Sequence, residues 1–163
     1  MSSQSLPPMK DRKVMRRIDY GAARTSVSGV LAALLVFVVL AAVGGLYVEQ
    51  QSLTLAFGLS IILTAAYRLF LVARFDSLYG AAPRRWRRMF GFGLVLHALV
   101  WGLLLAVMVM LYGPSFNFLL VCVYGIGVAT ALSSAWMAAL KTRQTYAIFI
   151  LAPAVLALAS LRT

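Results

Sequence analysis

The chain has 163 residues, 63% hydrophobic and only 12% charged, with a formal charge of +11. That is too little charge to coat a soluble domain of this size, because ordinary globular chains are roughly one-quarter charged. The positives sit in short segments beside long apolar runs, which argues against a nucleic-acid-binding domain and for a protein embedded in the lipid bilayer.

Residues 1–25 read as a basic cytoplasmic tail, partly disordered, in which Val14, Met15 and Ile18 form a thin stripe able to lie in the membrane interface. It is not a cleavable signal, since the apolar run that follows it is longer than the roughly 7–15 residues of a signal core. Residues 26–163 are expected to form one all-α transmembrane domain, a bundle of five helices near 27–48, 53–75, 89–112, 116–140 and 145–161. A helix rises 1.5 Å per residue, so about 20 residues cross a hydrocarbon layer roughly 30 Å thick. The fifth span is the shortest and carries Pro153 at its middle. The alternation expected of a β-barrel is absent.

Charge sets the expected orientation. Lys10, Arg12, Lys13, Arg16, Arg17 and Arg24 precede the first span, and Arg74 with Arg84, Arg85, Arg87 and Arg88 lies between the second and third. Lys141 and Arg143 lie between the fourth and fifth, whereas the opposite turns hold only Glu49. Bases near span ends stay in the cytoplasm, so the N-terminus is expected inside, in a bacterial inner membrane. Arg84, Arg85, Arg87 and Arg88 then act as a topology determinant on anionic headgroups, with Trp86 as an interfacial anchor.

Inside the spans two ionisable groups stand out. Arg68 shares a helix face with Ser60 and Thr64 at intervals of four, and its aliphatic stem allows it to snorkel to the inner interface. His97 has Gly93 and Trp101 one turn to either side. At its depth a neutral imidazole is favoured, either giving one interhelical hydrogen bond or serving as a titrating or ligand-contacting sensor. The fourth span repeats small residues at intervals of four (Gly125 and Ala129, Gly127 and Ala131), the pattern of a tightly packed helix. Tyr124, Ser133 and Ser134 could line a small polar pocket there. One cysteine, Cys122, gives no disulfide framework. No metal-ligand set, phosphate loop or carboxylate within a span is present, so neither a cofactor nor catalysis by this chain is expected.

The segment YRLFLVARF, the entry RRWRRMFGFGLVLHALVWG, the small-residue span and the proline-containing last span together resemble an arrangement seen in bacterial signalling proteins. They are similar to the multipass N-terminal membrane sensor region that precedes a histidine kinase or a GGDEF-type diguanylate cyclase. The resemblance covers about residues 50–160 and implies a non-catalytic sensory or regulatory module of a signal-transduction protein. The chain would then be the front part of a longer one, since five spans leave the C-terminus outside and a sixth would have to carry a cytoplasmic output. A homodimer or a partner membrane protein is expected with it. The alternative is a small transport protein or an accessory subunit of a membrane complex.

Overall fold

The computed structural model describes residues 9–113, 115, 118, 119, 121–123 and 140–160. Its helices are α1 (Met9–Ala42), α2 (Leu46–Glu49), α3 (Gln51–Ala73), α4 (Phe75–Ala81), α5 (Pro83–Tyr112) and α6 (Leu140–Ser160), with no strand among the described residues. The fold is all-α. Most of the fourth expected span, with Tyr124, Gly125, Gly127, Ala129, Ala131, Ser133 and Ser134, lies outside the described residues.

Helix α1 corrects the reading of residues 9–25 as part of a tail. It runs unbroken for 34 residues through the expected boundary at residue 25. The reason is its buried stripe, Asp19, Ala22, Ala23, Ser26, Val30, Ala33 and Leu40, at spacings of about three and four that cross from the charged part into the apolar part. The bases Arg12, Lys13, Arg16, Arg17 and Arg24 occupy the exposed face and do not interrupt the helix. It also ends earlier than residue 48. Gly45 adopts a left-handed backbone with φ of 72°, and the Gly44 N–H reaches back to the Val39 carbonyl at 3.1 Å. The Thr54 hydroxyl, 2.9 Å from the Leu46 carbonyl, ties α2 to the start of α3.

A second break, at Arg74, separates α3 from α4. Pro83 occupies the first turn of α5, where its fixed φ suits a helix and its missing N–H costs nothing. Ala82 before it is extended, with φ of −154°. The arginine run is therefore not a loop between spans but the opening two turns of α5.

Three helical stretches are long and apolar enough to cross a membrane: Arg12–Ala42, Gln51–Ala73 and Pro83–Tyr112. In α6 the apolar stretch is the shorter Ile148–Ala157. Inside these three the buried share of the apolar window is 22%, 33% and 50% in chain order, which makes α5 the most enclosed of them. It packs against α3, α4 and α6. Its approach to α6 is backbone to backbone: a methyl on Gly102 would overlap the Phe149 carbonyl oxygen and lie 3.0 Å from that of Ile150. Leu31, Leu35 and Val38 of α1 and Leu55, Leu59, Ile62 and Leu63 of α3 remain exposed. An outer surface so apolar suits hydrocarbon rather than water.

Candidate functional site

Two polar clusters are built into this bundle, one within the spanning helices and one at the end where α4 lies. The first begins with Arg68 on α3. Its side chain is 2% exposed, so it does not snorkel outward as its position suggested; Nη2 instead donates to Ser26 Oγ of α1 at 2.7 Å. Two glycines flank it, at distances where a Cβ would make ordinary van der Waals contact. A Cβ on Gly29 of α1 would stand 3.8 Å from Nη2, and one on Gly93 of α5 would stand 3.4 Å from the Arg68 Cγ. One turn before Arg68, Thr64 Oγ1 lies 3.0 Å from His97 Nδ1 of α5. The same hydroxyl lies 3.0 Å from the Ile61 carbonyl. If Thr64 donates to Ile61, the imidazole carries its proton on Nδ1 and donates to Thr64; the other tautomer reverses the interhelical bond.

Ser26, Arg68, Thr64 and His97 thus form a polar row across α1, α3 and α5, with each member buried. Trp101, one turn beyond His97 and also fully buried, sets its ring 6.4 Å from the imidazole, centroid to centroid. A hydroxyl beside an imidazole has the make-up of a nucleophile and base. Here Thr64 is 6% exposed and His97 0%, so the pair is sealed against a substrate.

The second cluster was not visible in the sequence. Asp19 of α1, 4% exposed, accepts on Oδ2 from the Tyr79 hydroxyl of α4 and from Arg87 Nε of α5, each at 2.7 Å. Arg87 Nη2 also donates to Tyr79 Oη at 3.0 Å, closing a triangle that joins three helices. Burial, and then the bond to Asp19, raise the Tyr79 phenol above its ordinary range, which keeps it protonated as a donor. Around the triangle, Phe75 stacks on Tyr79 at 4.8 Å and meets Trp86 edge-on at 4.9 Å, and Trp86 stacks on Phe90 at 4.8 Å.

This arrangement corrects two readings of the arginine run. Trp86 is not an interfacial anchor. It is 1% exposed and donates Nε1–H to the Leu71 carbonyl at 3.1 Å, because the helical period places it with Phe90 on the inner face of α5. Arg87 is not simply an exposed base either: it pairs with Asp19, with its side chain 34% exposed. Arg84, Arg85 and Arg88 stay exposed. The signal for Asp19 was present but faint: a carboxylate among bases, at the right interval from Ala22, Ala23 and Ser26 to share their face. Its partners lie 60 and 68 residues away and could not be read from spacing.

Among the described residues no group of three His, Cys, Asp or Glu could hold a metal ion. Cys122 is half-buried and is not in a disulfide. No family model, curated protein or solved structure matches the chain.

Proposed function

We propose that the chain is a non-catalytic sensory or regulatory module, a five-helix bundle in a bacterial inner membrane with its N-terminus in the cytoplasm. On this reading it acts on a kinase- or cyclase-type output carried by a longer chain, as a homodimer or with a partner membrane protein. The observation that carries the proposal is the buried row Ser26–Arg68–Thr64–His97. Ionisable groups at such depth are costly and by default mark function. In this row α3 meets α1 through Arg68 and Ser26, and α5 through Thr64 and His97. Helix shifts of about 1–2 Å are enough to break contacts of this kind. The row therefore suits an element with two arrangements, which a ligand or a change in the bilayer can bias. Its sealed hydroxyl–imidazole pair suits catalysis poorly.

The test compares a gene deletion with Arg68→Gln and His97→Leu alleles in the natural host, with membrane levels of each variant matched by immunoblot. Transcript profiles and cellular cyclic dinucleotide levels are the readouts. Both alleles are expected to reproduce the changes caused by the deletion. If the deletion alters neither readout, or the two alleles behave as wild type, the regulatory reading fails.

A further inference from the structure

On the surface of α3 and α5 an open groove is lined by Tyr67, Arg85, Arg88, Met89 and Phe92. Four of the five lie on one face of α5 at intervals of three and four, so the groove runs along the helix. Its chemistry changes along that length. Arg85 and Arg88 stand at the end nearest the helix start, both exposed, and neither forms an ion pair among the described residues. Phe92 follows seven residues beyond Arg85, about 10 Å deeper at 1.5 Å per residue, and is 62% exposed. Met89 lies between them.

The opposite wall is fixed in place. Tyr67 of α3 is half-buried, its hydroxyl 3.4 Å from the Met89 carbonyl. Its ring lies where a side chain on residue 93 would stand, since a Cβ there would be 2.9 Å from Tyr67 Cε1. Gly93 is thus what lets the ring close the groove.

We infer that this groove is a binding site for a single anionic glycerophospholipid. Its phosphodiester lies between the Arg85 and Arg88 guanidinium groups, and the start of an acyl chain lies against Met89, Phe92 and the Tyr67 ring. Two cations at the polar end answer the single negative charge, with donors that suit phosphate oxygens. The apolar end answers a chain that a free phosphate does not have. Arg84, equally exposed on the same turn but outside the groove, marks the difference between this site and general attraction of the membrane surface.

Native mass spectrometry of the purified protein, titrated from micelles with phosphatidylglycerol or phosphatidylcholine, tests the site. One phosphatidylglycerol is expected to bind in preference to phosphatidylcholine. The double substitution Arg85→Gln with Arg88→Gln is expected to weaken it about tenfold or more, and Phe92→Ala several-fold, while Arg84→Gln leaves it within about twofold. Glycerol phosphate, which carries the anion without the chains, is expected not to displace the lipid. Equal binding of both lipids, equal losses for Arg84→Gln and the double variant, or displacement by glycerol phosphate would each overturn the assignment.

Discussion

The two polar clusters of this protein use similar side chains and differ in what meets the charge. At the α4 end Arg87 meets a carboxylate, and Asp19 accepts a second bond from Tyr79. Within the spanning helices the described partner of Arg68 is a neutral hydroxyl, that of Ser26. A carboxylate–guanidinium pair whose shared oxygen, Asp19 Oδ2, also accepts from a phenol is a latch: it joins three helices. The described bond of Arg68 goes to a neutral hydroxyl, and such a bond is weaker than one to a carboxylate. The comparison places the stronger hold in the first cluster, while the regulatory role proposed above rests on the second.

The largest effect is expected where the latch is cut. Asp19→Ala leaves Arg87 without its carboxylate and removes the acceptor of the Tyr79 hydroxyl. Breaking a buried pair costs about 3–5 kcal/mol, but the Arg87 side chain is 34% exposed, which lowers the expectation to about 2–3 kcal/mol. Unfolding by SDS titration from mild-detergent micelles measures it. A loss below that of Ser26→Ala would invert the comparison.

Ser26→Ala is the matching cut in the second cluster. It removes the described acceptor of Arg68 Nη2, and hydrogen bonds to charged groups are worth about 1–2 kcal/mol even after the discount typical of membrane helices. Its sharper readout is local. Cysteine-accessibility labelling at nearby α1 positions should rise in Ser26→Ala and stay at the wild-type level in Asp19→Ala. Equal labelling in both would show that the row holds α1 no differently from the latch.

Why one cluster was legible and the other hidden follows from what a linear reading can see. Apolar runs of span length announce helices and a membrane, and a histidine or arginine inside such a run announces itself. Their meeting with Ser26 and Thr64 in a cross-helix row is hidden, because it joins residues 42 and 33 positions apart. The charged segment hid more. Reading residues 1–25 by charge placed Asp19 in a tail, although its interval to Ala22, Ala23 and Ser26 already belonged to the stripe of α1. Likewise RRWRR was read as one basic block, whereas a helix turns each residue to a different side: Trp86 inward, Arg87 to Asp19, Arg85 and Arg88 to the outer groove.

Tyr79 gives the latch a pH signature. Its phenol is raised above the ordinary 10.0 because burial, and then Asp19, favour the protonated form. A raised folded-state value means that this stabilisation is fully present below pH about 10 and is lost as pH climbs through the folded value. Tyr79→Phe removes two hydrogen bonds, the one given to Asp19 and the one taken from Arg87, about 1–2 kcal/mol at neutral pH, and the difference in stability from wild type should shrink through the alkaline range. Parallel pH–stability curves for the two proteins would show that the hydroxyl does not donate to Asp19.

The smallest effect is expected from the pair that most resembles the latch on paper. Arg16 of α1 and Asp76 of α4 approach to 2.8 Å, against 2.7 Å for Arg87 and Asp19, and they too join α1 to a neighbouring helix. Burial and the Tyr79 hydroxyl separate them: the side chains of Arg16 and Asp76 are 60% and 78% exposed. In contact with the surroundings such a pair gains little, because screening weakens the attraction and two long side chains lose rotamer freedom. Arg16→Gln should therefore cost less than about 0.5 kcal/mol in the same SDS titration, and added salt should erase even that. A loss near that of Asp19→Ala would mean that distance between charges, rather than enclosure, sets the strength of the latch.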